Sequence, residues 1–208
     1  MSGIKLKVVQ LNATHDKAQF SSDSEPLNRY FKEQASQDIK RRVAACFVAI
    51  TQNNEIVGYY TLASASVLLT ELPELLLKKL PRYPTIPAVR MGRLAVSTQY
   101  KGQGIGATLL ADALLRSASN EIAAYALIVD AKDVLIKSTS PSPLMGEGWG
   151  EGEKSSTYPS PQPSPSGGEG VNQRIPKDTK AVAFYQHHGF MMLGVNPMQL
   201  FLPLANLK

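Results

Sequence analysis

Residues 101–110 read Lys-Gly-Gln-Gly-Ile-Gly-Ala-Thr-Leu-Leu. Three glycines alternate and then pass directly into an apolar helix-forming run. Ahead of them, Ala88-Val89-Arg90-Met91-Gly92-Arg93-Leu94-Ala95-Val96 reads as a strand. A strand, a glycine-rich turn and a helix start make a cradle for a pyrophosphate. Glycine lets the backbone approach closely, and the free N–H groups of a first helical turn point at the anion. The helix dipole adds partial positive charge at the same place.

The residues alone leave more than one use for this turn. Gly102-x-Gly104-x-x-Ala107 satisfies the dinucleotide fingerprint G-x-G-x-x-G/A. That fingerprint belongs in the first turn of a repeating α/β unit, whereas about ninety residues precede it here. Asp130 closes the following strand, 28 residues beyond Gly102, past the usual spacing of ~20. A glycine-rich turn with no ligand is the third reading.

Composition bounds the class. A length of 208 residues fits one domain with an appendage, and 43% apolar residues support a real core. No apolar run reaches the ~18 residues of a membrane span. The start, Met1-Ser2-Gly3-Ile4-Lys5, lacks the apolar stretch of a signal peptide. The single cysteine, Cys46, excludes an internal disulfide and fits a reducing cytoplasm. A net charge of +5 favours anionic partners such as a nucleotide or RNA.

Leu6 to Leu11 alternates as a first strand, and 25–40 is amphipathic at helical spacing. Val43 to Ile50 and Ile56 to Val67 read as strands about an Asn53-Asn54 turn, with Gly58 placed for a bulge. Leu72 to Leu80 reads as a short helix. Pro81, Pro84 and Pro87 make a stiff connection into the strand at 88–96. The helix after the glycine turn keeps one apolar face to about residue 118, and Ile122 to Val129 reads as an interior strand. Asp178 to His187 is helical, capped by Asp178 or Thr179 and stopped by Gly189. Strands at 190–193 and 198–202 close the chain about an Asn196-Pro197 turn. This order predicts an α+β fold with a mixed central sheet flanked by helices.

The stretch 134–177 departs from that pattern. From Ser138 to Gly170 it is dominated by Ser, Pro, Gly and Glu, and it cannot offset its chain entropy by burial. Ser140-Pro141-Ser142-Pro143 with Gly146-Glu147-Gly148 recurs as Ser164-Pro165-Ser166 with Gly168-Glu169-Gly170. Lys132-Asp133 reappears as Lys177-Asp178. We read 134–177 as a disordered insertion into one domain made of 1–133 and 178–208. A functional Pro-rich binding segment is the alternative. Loop-closure cost grows only logarithmically with length, so a host fold survives such an excursion.

Two segments carry a family resemblance. Lys101-x-x-Gly104-x-Gly106 resembles the coenzyme A pyrophosphate loop of the GNAT acetyltransferases, Gln/Arg-x-x-Gly-x-Gly/Ala, with lysine at the first position. Ala181-Val182-Ala183-Phe184-Tyr185-Gln186-His187-His188-Gly189-Phe190 resembles the family's A-x-x-F-Y-x-x-x-G-F segment. The resemblance implies a GNAT fold and acetyl-CoA as cosubstrate. It implies pantetheine contacts by the main chain of Leu94, Ala95 and Val96. Lys101 and the main chain of Gln103, Gly104, Gly106, Ala107 and Thr108 are implied at the pyrophosphate. Tyr185 is implied as the donor of a proton to the departing thiolate, which a phenol within hydrogen-bond reach can do. An α-amino acceptor titrates near ~8 and is partly neutral at pH 7, so a dedicated base is optional. Cys46 lies in an apolar run and reads as an inert buried thiol. No His/Cys cluster has metal-ligand spacing.

The match narrows to the GNAT toxins of bacterial type II toxin–antitoxin pairs. Residues 90–96, Val129 to Asp133, Tyr185 with Gly189-Phe190, and the ending 196–203 carry it. Resemblance to these toxins implies acetylation of an aminoacyl-tRNA, glycyl-tRNA foremost, which stops translation. It also implies a ribbon-helix-helix antitoxin, operator DNA reached only through the antitoxin complex, a homodimer and a cytoplasmic location. Arg90 and Arg93 beside the acetyl group, and Lys40, Arg41 and Arg42 at a helix end, are the foremost candidates for tRNA contacts. Lys32, Lys78, Lys79 and Arg82 add to the same basic footprint. Lys40–Arg42 also reads as a solvated helix end at the negative dipole terminus. Rival readings are a GNAT enzyme for a small amine or a protein N-terminus, an impaired remnant that still binds antitoxin, and a nicotinamide-dependent oxidoreductase.

Overall fold

The computed structural model describes residues 5–131 and 179–207, all within one compact unit. The segment read as an insertion, 134–177, lies outside the described residues, as does Asp178. Seven strands form one sheet in the order β1-β2-β3-β4-β5-β7-β6. They are β1 (Lys7–Gln10), β2 (Ala45–Ile50), β3 (Ile56–Leu68), β4 (Thr85–Val96), β5 (Ala126–Asp130), β6 (Met191–Leu193) and β7 (Asn196–Pro203). β1 to β4 form an antiparallel meander, β4 and β5 run parallel, and β5 to β7 return antiparallel. A mixed sheet whose first four strands are antiparallel is not a repeating parallel α/β unit, so the dinucleotide reading is set aside.

Helices cover both faces. α4 (Ile105–Ala118) and α5 (Thr179–His187) lie on one face, where Leu109, Leu110 and Ala113 pack with Tyr60, Met91 and Leu127. The opposite face carries α1 (Glu25–Arg29), a π-helical turn (Tyr30–Gln34) and α2 (Ala35–Lys40). In that turn the Ala35 N–H bonds to Tyr30 O, five residues back. The extra residue brings Tyr30 and Phe31 both onto the sheet, and Phe31 stacks on Tyr59 at 4.2 Å. Each fully buried side chain of this size contributes roughly 1.5–3 kcal/mol. Cys46 is buried in the same cluster, and burial pushes its thiol up to about 12, as an inert role requires. α3 (Glu74–Leu77), behind Pro73, covers the far end of this face through Leu72, Leu76 and Leu77.

Several expectations shift. The helix read at 72–80 shrinks to α3, because Pro73 starts it late and Pro81 follows. β4 begins at Thr85 and runs through Pro87. Pro87 O accepts the Tyr125 N–H, and its own missing N–H falls where β5 has not yet begun. Ile122 is 79% exposed, so β5 starts only at Ala126. The last hairpin turns at Gly194, where φ is +62°, and Pro197 lies inside β7. The bulge expected at Gly58 falls on its neighbour Val57: Ala49 pairs with Gly58 and Ile50 with Ile56.

Gly58 is instead a close-approach glycine. A Cβ there would sit 2.8 Å from Leu109 Cδ1 and 3.0 Å from Ala95 O. Gly58→Ala is expected to destabilise the fold by about 1–3 kcal/mol through overpacking of α4 on β3. Thermal unfolding of the variant against the parent chain checks this.

Candidate acetyl transfer site

The site begins where two parallel strands part. β4 and β5 pair from Ala88↔Ala126 to Met91↔Val129 and no further. At the same point the register of β4 to β3 slips: Leu62 pairs with Met91, but Thr61 pairs with Arg93. Gly92 is therefore a bulge residue that no β3 residue opposes. A bulge bends its strand and raises its local twist, turning the remainder of β4 away from β5.

The stretch beyond the bulge offers main-chain groups. Ser97 N–H donates to Val57 O at 2.8 Å. By the alternation of an antiparallel ladder, Ala95 and Arg93 also turn their peptide groups toward β3. Leu94 and Val96 therefore turn theirs to the side that β5 has left. The expected trio thus divides. Among the described residues nothing pairs with the donors and acceptors that Leu94 and Val96 turn outward, while those of Ala95 are committed to β3.

The glycine turn lies just past this strand. Gly102 and Gly104 hold φ of +75° and +76°, a left-handed geometry that only glycine adopts without strain. Gly104 is the N-cap of α4 and has no side chain to satisfy the first-turn amides, so those of Ile105, Gly106 and Ala107 stay open for an anion. One expected contact is corrected. The Thr108 N–H donates to Gly104 O at 3.0 Å and its hydroxyl donates to the same oxygen at 3.2 Å. Thr108 is the first residue far enough along α4 to make its own intrahelical bond, so its amide is already committed. Lys101 forms an exposed ion pair with Asp23. Such a pair is worth at most about 1 kcal/mol, so the ammonium is exchangeable for a phosphate.

α5 closes the parting from the α4 side. Phe184 packs near Gly106, its ring 3.7 Å from where a Cβ would stand. Tyr185 points inward, and its hydroxyl lies 3.9 Å from Met91 Sδ, at the last paired position of β4. Its ring contacts Phe184 at 5.2 Å and Phe190 at 5.4 Å. Burial raises the phenol's pKa, so the group remains protonated at neutral pH. His188 is turned to its own helix, with Nδ1 2.8 Å from Phe184 O.

The two arginines sit on the other face. A spacing of three would put Arg90 and Arg93 on opposite faces of a regular strand; the Gly92 bulge places both on the α1–α2 face. Arg90 Nη1 donates to Asp130 Oδ2 at 2.6 Å, and Gln199 Nε2 donates to Asp130 Oδ1 at 3.2 Å. This chain ties β4, β5 and β7 together where the parting starts. Arg93 lies over the Tyr30 ring at 3.4 Å, and the Tyr30 hydroxyl donates to Asp38 at 2.8 Å. Lys40, Arg41 and Arg42 are exposed at the end of α2, with Arg42 at φ +58°. They end or follow α2, whose Asp38 accepts from the Tyr30 hydroxyl beneath Arg93. Among the described residues no group of His, Cys, Asp and Glu could hold a metal ion, and no helix is long and apolar enough to cross a membrane. The bulge and the role of Asp130 escaped the sequence reading. A glycine between two arginines was the available signal.

The parting, the free main chain of Leu94 and Val96 and the uncapped glycine turn fit a pantetheine pyrophosphate. Comparisons with known proteins agree. Residues 13–136 match the family described as acetyltransferase (GNAT) domain. A tRNA-acetylating toxin of Mycobacterium tuberculosis (strain ATCC 25618 / H37Rv) is 31% identical over 124 residues, 59% of this chain and 73% of the relative. The structure of AtaT complexed with acetyl-methionyl-tRNAfMet has a TM-score of 0.68 at 25% identity, covering 98% of this chain and 97% of that one. The structure of AtaTR bound with AcCoA has a TM-score of 0.63 at 25% identity, covering 96% and 94%. The chain belongs to the GNAT family and is an acetyl-CoA-dependent N-acetyltransferase of the toxin type.

Proposed function

We propose that this enzyme moves acetyl from acetyl-CoA to the α-amino group of an aminoacyl-tRNA and so stops translation, with Tyr185 as its general acid. The buried phenol at the parting of β4 and β5 is the observation that carries the reading. Acetyl-CoA supplies a thioester acetyl group. Leu94 and Val96 hold the pantetheine by main-chain hydrogen bonds, as an added strand would be held. Gln103, Gly104, Gly106 and Ala107 hold the pyrophosphate with their amides, and Lys101 adds charge. The acceptor amine forms the new C–N bond and loses a proton to water. The C–S bond breaks, and the Tyr185 hydroxyl hands its proton to the leaving sulfur. The phenol then recovers a proton from solvent.

Arg90 and Arg93 lie on the face opposite Tyr185, so the acceptor arrives from the side away from the phenol. Cations there, with Lys40, Arg41 and Arg42, supply a phosphate-contacting track for tRNA. Glycyl-tRNA is the proposed acceptor by resemblance. The methionyl-tRNA complex of AtaT makes methionine the alternative. We place the enzyme in the cytoplasm as a homodimer, neutralised by a ribbon-helix-helix antitoxin that carries it to operator DNA. One domain made of 1–133 and 178–208 hosts the segment 134–177.

Mass spectrometry of tRNA-linked amino acids after expression tests the acceptor. N-acetylglycine on tRNA is expected. N-acetylmethionine would move the assignment, and no acetylated aminoacyl-tRNA alongside an acetylated small amine or protein N-terminus would overturn it. Tyr185→Phe is expected to lower kcat by about 10²–10⁴-fold. Its acetyl-CoA affinity by calorimetry should stay within about twofold, because the main-chain contacts do not involve the hydroxyl.

Because burial raises the Tyr185 pKa, no loss of rate from phenol ionisation is expected between pH 6 and 9. The rate should rise with pH as the acceptor amine deprotonates near ~8 and then level. Initial rates across that range check the sign. A falling limb there would exclude a buried phenol as the acid.

A further inference from the structure

Polar side chains gather on the α1–α2 face at the rung where β4 leaves β5. Arg90 is held by Asp130, Arg93 lies over Tyr30, and the Tyr30 hydroxyl donates to Asp38. Thr61 differs from them. It stands on β3 opposite Arg93, and on its other side opposite Cys46. Residues directly opposite share a face, so the Thr61 side chain lies on the α1–α2 face with Cys46 and Arg93. Thr61 is 1% exposed, yet among the described residues its hydroxyl has no hydrogen-bond partner. A buried hydroxyl left unpaired is costly, and a ligand that pairs with it recovers the cost.

The hydroxyl is not walled in. Among the described residues Ser24 Oγ is the one unpartnered side-chain oxygen sealed from solvent, so Thr61 Oγ1 keeps an opening. Gly92 borders that opening. It is exposed, and a Cβ there would sit 3.3 Å from Thr61 Oγ1 and, its chain neighbours aside, within 4 Å of nothing else. The space over this glycine is therefore open, with the hydroxyl at its edge. Gly92 is also the bulge residue, one step past the last β4–β5 pair, Met91↔Val129. Neighbouring strands lie about 4.8 Å apart, so Thr61 stands roughly one strand spacing from the parting.

We propose that Thr61 Oγ1 accepts a hydrogen bond from the acceptor amine above Gly92 and so turns the amine's lone pair toward the acetyl carbon. The inference rests on the acetyl transfer proposed above and adds the group that orients its nucleophile. A neutral primary amine carries two N–H groups and one lone pair. Holding one hydrogen fixes the direction of the lone pair, and fixed direction lowers the barrier to attack. A hydroxyl suits this task better than a carboxylate, which would favour the unreactive ammonium. The C–N bond forms as the C–S bond breaks. The amine's surplus proton goes to water and Tyr185 protonates the sulfur, so Thr61 neither gains nor loses a proton. Thr61 and Tyr185 then address the thioester from opposite faces of the sheet.

Thr61→Val tests this, because it removes the hydroxyl at nearly constant volume. Initial rates are measured with aminoacyl-tRNA and with glycinamide as a small amine. The kcat/KM for the amine is expected to fall about 10–100-fold. Acetyl-CoA affinity by calorimetry should stay within about twofold, and the thermal midpoint should not fall, since a methyl replaces an unpaired hydroxyl. Thr61→Ser keeps the oxygen and should stay within about threefold of the parent. Gly92→Ala crowds a Cβ against the hydroxyl and should lower kcat/KM as well. Parental kcat/KM in Thr61→Val or in Gly92→Ala would overturn the inference and leave acetyl transfer standing. An equal loss in Thr61→Ser, or a fall in thermal midpoint or acetyl-CoA affinity in Thr61→Val, would mark a packing role and overturn it too. A parent that acetylates glycinamide but not aminoacyl-tRNA overturns the tRNA reading, and glycinamide then decides on Thr61. A parent that acetylates neither overturns both.

Discussion

β4 leaves β5 after Met91 because one unopposed glycine bends it, and the reactive geometry follows from that departure. A sheet that stayed paired would consume the peptide groups of Leu94 and Val96. By leaving, β4 keeps two donors and two acceptors at the edge of an apolar interior. Such groups are costly to bury unpaired, so the site has an appetite for an amide-bearing arm before any side chain is considered. The Arg90–Asp130–Gln199 chain holds the strands together where they begin to part. It is a partly buried, charge-assisted arrangement, stronger than a surface ion pair. Regular alternation sets Arg90 with Asp130 on one face and Met91 with Tyr185 on the other, and the bulge brings Arg93 onto the face of Arg90.

The proposed chemistry divides between main chain and side chain. Main-chain groups, whose N–H only a substitution by proline removes, would grip the cosubstrate, and one side chain, Tyr185, would address the sulfur. Its apolar surroundings, Met91, Phe184 and Phe190, favour the neutral phenol and exclude the water that would compete as donor. On the far face Arg93 lies over Tyr30, worth about 0.5–2 kcal/mol as a cation over a ring, which fixes a charge that a free arginine would leave mobile.

Much of this was legible in the chain. The alternating glycines before an apolar run marked the turn, and two of them do adopt left-handed φ. The A-x-x-F-Y-x-x-x-G-F segment marked α5 and the inward tyrosine. Other features were hidden for physical reasons. A bulge changes which residues share a face without changing composition, so Arg90 and Arg93 looked like residues of an ordinary strand. Pro87 looked like a connector because its tolerance in β4 depends on where β5 begins. Ile122 looked interior because its neighbours are apolar, yet burial is decided by what packs above it. Thr108 looked available until the first intrahelical bond was counted.

The Ala131 N–H bonds to Met198 O at 2.7 Å, so the exit of β5 is stitched to β7. β4 and the glycine turn precede that stitch, and α5 with Tyr185 lies beyond it. Closing the chain between them costs free energy that rises only logarithmically with its length, so the connection can grow while β4, the glycine turn and α5 keep their own sequences.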